Sequence, residues 1–180
     1  MKTIKILDKD FEIYIPYEKI NEAIVRIAEK MNEDLRGKEP LFISVLNGAF
    51  MFAADLFKEL NFEAEISFVK FSSYQGMGTT GSVKKLIGLN ESIQGRTVVI
   101  LEDIVDSGYS MESLVAQLKA LGPDEVKVAT MLFKPKALVR DVTLDYVGLE
   151  IENDFIVGFG LDYNGRGRNL KDIYRVVESE

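Results

Sequence analysis

Two short stretches, Leu41 to Leu46 (LFISVL) and Thr97 to Leu101 (TVVIL), lack the polar alternation of a strand with one wet face. Each leads into a helical pattern, through Phe52, Leu56 and Leu60 after the first and from Ser110 to Leu121 after the second. A strand that is apolar on both sides must be covered on both sides. Helices that carry the chain back to the same end of a sheet provide that cover for parallel strands. The remaining pattern agrees. Lys2 to Ile15 reads as one or two strands before Pro16, and Ile20, Ile24, Ile27, Met31 and Leu35 form one helical stripe, with Gly37 where a cap would stand. Ala64 to Phe71 and Val126 to Phe133 read as strands, with shorter ones at Tyr146 to Ile151 and Phe155 to Val157. Ser72 to Gly81, polar and glycine-rich, reads as a loop, and Gly122-Pro123 as a turn. The expected fold class is α/β, a mostly parallel central sheet flanked by helices, with ligands bound beyond the carboxyl ends of its strands. With 180 residues, no repeat and no linker-like shift, residues 1–180 are expected to form one domain.

Composition removes several chemistries. The chain has no cysteine and no histidine, so thiol or imidazole catalysis, a Ser-His-Asp triad and a zinc site built on those residues are excluded. Any metal would be a hard ion on oxygen ligands, with magnesium the first choice. Twenty-nine acids against 22 bases give a net charge of −7, which argues against sequence-independent binding to nucleic acid. An anionic small molecule remains possible where bases are concentrated locally. MKTIKILDKD has no uninterrupted apolar stretch, and no run approaches a membrane span, so the expected setting is the cytoplasm, with no membrane partner.

The most informative segment is VVILEDIVDSGYSM, Val98 to Met111. Apolar residues deliver the chain to a strand end, where Glu102 and Asp103 emerge side by side; after two more apolar residues, Asp106-Ser107-Gly108-Tyr109-Ser110 leads into a helix. Gly108 permits a tight turn, and amides at a helix start converge on one point, as an anion requires. Adjacent carboxylates need a reason, which ribose hydroxyls or a magnesium ion would supply. On residue types alone, two solvated acids and a helix start capped by Asp106 or Ser107 is the simpler account.

Order and spacing change that balance, because this segment closely resembles the phosphoribosyl pyrophosphate signature of the type I phosphoribosyltransferases. Asp106 as a third acid resembles their 6-oxopurine branch, the hypoxanthine-guanine phosphoribosyltransferases. The resemblance runs from about Phe42 to Leu170, through SVLNGAFMFAADL, SSY, LFKP and DFIVGFGLDYNGRGRNL in the family's order. It implies a small hood from about 1–16 and 150–180 and a flexible lid at about 72–84. It further implies transfer of 5-phosphoribose to hypoxanthine or guanine, with Mg2+ as cofactor, in a homodimer or homotetramer.

By the same resemblance, Glu102 and Asp103 would hold the ribose hydroxyls and magnesium, and Asp162 a second magnesium. Ser107, Gly108, Tyr109 and Ser110 would hold the 5′-phosphate. Asp106 would face the purine's five-membered ring as general base, completing the phosphoribosyl site. Lys134 would read the exocyclic oxygen, Phe155 would stack on the base, and the Ile156 backbone would meet its edge. Leu46, Asn47, Gly48 and Arg168 would bind pyrophosphate, in a loop where the family often has a non-proline cis peptide. Ser73 and Tyr74 would begin the lid. Asn47 and Tyr109 stand where family members often have a basic residue, and Gly165-Arg166-Gly167 where many are aromatic. Asp106 and Lys134 together argue against a pyrimidine base. The other readings are a xanthine-preferring enzyme and a non-catalytic, nucleotide-sensing regulator on the same fold.

Gly76 to Gly81 also matches G-x-G-x-x-G, with Glu102 about 20 residues on. No helical stripe follows Gly81, however, so a closing loop is the better reading than a dinucleotide site.

Overall fold

A computed structural model describes residues 3–74 and 83–177. The Gly76 to Gly81 pattern and most of the expected lid lie outside the described residues. Strands β3 (Leu41–Val45), β4 (Glu65–Tyr74), β6 (Thr97–Val105), β7 (Glu125–Phe133) and β8 (Tyr146–Glu150) run parallel, and β5 (Val83–Ile87) joins β4 antiparallel at the edge. The strand order is β5-β4-β3-β6-β7-β8. Both faces are covered, as the unalternated runs require. On one side, helices α1 (Tyr17–Asp34) and α2 (Phe50–Glu59) bury Ile20, Ile24, Met31, Phe52 and Leu56 against Phe42, Val99 and Leu101. On the other, α3 (Tyr109–Lys119) sets Met111, Leu114 and Leu118 against Ile43, Val98 and Ile100.

The second sheet is built from chain ends far apart in sequence, in the order β1-β2-β10-β9, from β1 (Thr3–Ile6), β2 (Lys9–Ile15), β9 (Ile156–Val157) and β10 (Ile173–Val176). It is antiparallel throughout, with Phe11, Val157 and Tyr174 as its own small core. The two parts are joined at the start of α1. Pro16 has no side-chain donor or acceptor with which to cap that helix, and the Tyr17 N–H instead donates to Asp172 Oδ1 at 2.8 Å. An amide without an intrahelical partner is thereby satisfied from 155 residues away.

Three local expectations need correction. Ser72 to Tyr74 do not open a loop but continue β4, because β5 pairs with them through Ser72–Lys85, Ser73–Lys84 and Tyr74–Val83. Strand β6 does not stop at Leu101; β7 pairs with it through Val105 opposite Phe133, so the two acids lie within the strand. Neither Asp106 nor Ser107 caps α3. Gly108 does, at φ +88°, with no side-chain hydrogen bond. Among the described residues, no helix is long and apolar enough to cross a membrane.

Candidate active site

The carboxyl ends of β3, β6 and β7 converge on one region, joined there by the loop between β9 and β10. Inside β6, Leu101 packs into the α1–α2 core, while Val105, four residues on, packs into the α3 core. A strict two-residue repeat would place both on one face. The departure falls on Glu102 and Asp103, whose carboxylates turn back onto their own strand. Glu102 Oε1 accepts from the Asp103 N–H at 3.2 Å, and Asp103 Oδ1 accepts from the Ile104 N–H at 2.8 Å. Burial, with the neighbouring Asp103 charge added, holds Glu102 well above the usual carboxylate range. Burial also raises Asp103, opposed by its contact with Glu102, the Ile104 amide and the positive charge of Arg168.

Beyond Val105 the chain turns through Asp106 and Ser107 into α3. Glu102, Ile104, Val105, Asp106, Ser107, Gly108, Ser110 and Met111 line a cavity of about 110 Å3 at this turn. Gly108 is required there for two reasons. Its φ is in the left-handed region, and a Cβ would press on Leu138 and on the Arg140 Cβ, 2.9 and 3.1 Å away. The Tyr109 ring is not among the groups lining the cavity. Its face is covered instead by the Arg140 guanidinium, 4.3 Å from the ring centre. Any part Tyr109 plays in holding an anion falls to its main chain.

Lys134 follows the end of β7. Its N–H donates to the Val105 carbonyl at 3.0 Å, and its nearly buried ammonium lies 3.4 Å from Asp106 Oδ2. Asp106 itself is exposed, so the pair is open to whatever enters the cavity.

The Leu46–Asn47 peptide between β3 and α2 is cis. The next residue, Gly48, lies so close to Asp103 that a Cβ would overlap its carboxylate. Gly160, from the loop after β9, lies against the Gly48 carbonyl. The Gly160 carbonyl accepts from Arg168 Nη1 at 2.7 Å, and Arg168 Nη2 meets Asp162 Oδ1 at 2.6 Å. The other Asp162 oxygen accepts from the Gly165 N–H at 2.6 Å. Asp162 is thus engaged on both oxygens, and among the described residues no three acids are grouped as a ready-made metal cage. Gly167, at φ +92°, lies against Val157 and Ile6, where a Cβ would overlap Val157. That contact leaves no space for an aromatic side chain at this point.

Phe155 precedes β9 and is 46% exposed, while Ile156 is buried in the strand. Phe155's covered side meets Phe11 and Tyr163 at ring-centre distances of 6.3 and 5.6 Å. Ser73 and Tyr74 lie at the far end of β4, toward the end of the sheet that β3 and β6 share. Sequence reasoning missed the Gly48–Asp103 approach, the cover that Arg140 gives Tyr109, and the Tyr163 contact. Only the second left a trace, in the replacement at Tyr109.

Comparison with known proteins gives a consistent result. The model of the phosphoribosyl transferase domain matches residues 16–164. A hypoxanthine-guanine phosphoribosyltransferase of Streptococcus thermophilus is 39% identical over 168 residues, covering 92% of this chain and 93% of that protein. The bifunctional protein TilS/HprT of Listeria monocytogenes is 38% identical over 160 residues. The match covers 88% of this chain but only 25% of that longer protein. Among solved structures, a hypoxanthine-guanine phosphoribosyltransferase of Bacillus anthracis is 35% identical with a TM-score of 0.85, covering 92% of this chain and 98% of that one.

Proposed function

The chain belongs to the hypoxanthine-guanine phosphoribosyltransferase family, and on that footing we propose that it transfers 5-phosphoribose from phosphoribosyl pyrophosphate to a 6-oxopurine, hypoxanthine or guanine. The products are the nucleoside monophosphate and pyrophosphate. One observation carries the reading: Asp106, paired with Lys134, lines a small cavity together with Glu102, Ser107, Gly108 and Ser110.

In the reaction, the anomeric C–O bond breaks with its electron pair leaving on pyrophosphate, and a purine ring nitrogen forms the new C–N bond. Amides of the Ser107 to Ser110 turn hold the 5′-phosphate, which lacks a lysine there and so depends on main-chain donors and the helix dipole. Glu102 and Asp103 hold the ribose hydroxyls as the sugar gains oxocarbenium character, a charge that fixed carboxylates favour. Asp106 takes the proton from the purine's five-membered ring. Lys134 donates to the exocyclic oxygen, for which an adenine amino group is a poor substitute. Phe155 stacks on the base, and the Ile156 main chain meets its edge. Leu46, Asn47, Gly48 and Arg168 receive the pyrophosphate, Arg168 as a planar fork for two oxygens. Ser73 and Tyr74 begin the segment that closes over the reacting centre.

The acids fit magnesium. Glu102 and Asp103 are hard oxygen donors whose ionisation is disfavoured as the chain stands, and a divalent ion completed by substrate oxygens and water would reverse that. When bound, such an ion neutralises charge on the departing pyrophosphate. Asp162 would offer a second ion the lone pairs that its contacts with Arg168 and the Gly165 amide leave free. We read residues 1–180 as one such domain, acting in the cytoplasm as a homodimer or homotetramer. An absorbance assay with hypoxanthine, guanine, xanthine, adenine and uracil, each with phosphoribosyl pyrophosphate and magnesium, tests the reading. Turnover of the first two is expected; turnover of none, with ligand still bound, would leave a nucleotide sensor.

A further inference from the structure

Phe155 presents one face to solvent and must be held on the other. A ring on which a base stacks is useful only if its tilt is fixed, because a swing about its first side-chain bond moves the platform by ångströms. Two rings hold it. Phe11, fully buried in β2, is set by main-chain pairing with Val176 of β10. Tyr163 meets Phe155 edge-on, with an interplanar angle of 84°, the geometry in which a ring edge faces a π cloud. Unlike Phe11, Tyr163 belongs to no sheet. It sits at the base of a tight turn closed by two hydrogen bonds between its own main chain and that of Arg166. Its ring rests on Phe11, 6.1 Å between centres, and its hydroxyl ties it outward by donating to Asp8 Oδ1 at 2.7 Å. Asp8 stands in the two-residue turn between β1 and β2, 155 residues away in sequence. Lys9, 5.9 Å from the Tyr163 ring centre, adds a cation over its face.

We propose that Asp8 and Tyr163 are positioning residues for purine binding: the Asp8–Tyr163 hydrogen bond fixes the tilt of Phe155 and thereby the affinity for the base. The proposal rests on the reading of Phe155 as the base platform. Asp8 is exposed and Tyr163 half-buried, but the hydrogen bond that joins them is exposed, so its own contribution to global stability is small, as for other exposed charged contacts. Their influence is local, and it falls on one substrate. The phosphate cradle and the acid pair are carried by other elements, β6 and α3.

The test compares wild type, Tyr163→Phe, Asp8→Ala, Asp8→Asn and the double variant Tyr163→Phe/Asp8→Ala. KM is measured separately for hypoxanthine and phosphoribosyl pyrophosphate, alongside kcat and Tm. Tyr163→Phe keeps the ring and removes only the hydroxyl. It and Asp8→Ala should each raise the hypoxanthine KM about three- to tenfold, with the phosphoribosyl pyrophosphate KM within about twofold and Tm nearly unchanged. Asp8→Asn, which retains an acceptor oxygen, should recover most of the loss, and the double variant should be no worse than either single one. An active wild type with an unchanged base KM in Tyr163→Phe overturns the proposal alone. So does a parallel rise for both substrates, or additive losses in the double variant. A wild type that turns over no purine overturns the proposed function, and this inference with it.

Discussion

The Lys134 ammonium, nearly buried at the end of β7, lies 3.4 Å from the exposed carboxylate of Asp106, the first residue after β6. One strand thus delivers a donor and its neighbour an acceptor to the same opening. The two groups differ in how free they are. Lys134 is fixed by its surroundings and by its own amide on the Val105 carbonyl, whereas Asp106 can leave the pair at little cost when a base enters.

Replacing that lysine with alanine removes the donor together with its buried stem. Lys134→Ala is expected to weaken selection of hypoxanthine over adenine about tenfold or more, the scale on which losing a charged hydrogen bond acts. The ratio of kcat/KM for the two bases gives the measurement. A ratio equal to that of wild type would remove Lys134 from base recognition.

Asp106→Asn retains shape and removes the carboxylate proposed as the base. Turnover should fall by about 10²–10⁴, the usual contribution of general-base catalysis, with KM for both substrates within a few-fold. If kcat holds and only KM rises, Asp106 is a binding group.

Gly48 tests the packing of the loop between β3 and α2 on the acid pair. A methyl at this position would overlap the Asp103 carboxylate, so Gly48→Ala should displace one or the other. The magnesium concentration for half-maximal activity is expected to rise about tenfold while the far-ultraviolet spectrum stays native. An unchanged magnesium requirement would show that the two move independently.

Glu102→Gln should separate stability from activity. Burial raises the Glu102 carboxyl in the folded chain, so the folded state binds that proton more tightly than the unfolded one. The ionised side chain therefore costs stability above its folded pKa, and the cost disappears as pH falls toward the ordinary carboxylate range. At neutral pH and without ligands, the glutamine variant should be about 1–2 kcal/mol more stable, with that gap closing in acid and with activity largely lost. Chemical denaturation across pH reads both. A variant less stable than wild type at neutral pH would mean that Glu102 is well solvated.

The parallel sheet and the β6–α3 turn were legible because their signals are contiguous. TVVIL has no alternation to misread, and Glu102 to Ser110 carries its pattern within nine residues. The extent of β6 was not legible, since two acids usually end an apolar strand and here β7 extends the ladder past them. The same reasoning explains Ser72 to Tyr74, polar residues held in a strand by β5. Strand β10 (IYRV) is too short to announce itself. The contacts of Asp172 with Tyr17 and of Asp8 with Tyr163 each join residues 155 apart, and no local pattern encodes them. Asp106 and Lys134 were both singled out from sequence; their 3.4 Å separation depends on β6 and β7 being neighbours in register.

The pairing of β2 with β10 has a consequence for assembly. Strand β2 obtains its second neighbour only from residues 173–176, and the amide that opens α1 waits for Asp172. Closing so long a loop carries an entropic penalty that local contacts cannot offset in advance. The central sheet can therefore collapse early, with the sheet that carries Phe11 and supports Phe155 completed last. A chain clipped before Asp172 would keep the β6–α3 turn yet present Phe11 to water, a half-finished molecule suited to capture by a chaperone or a protease.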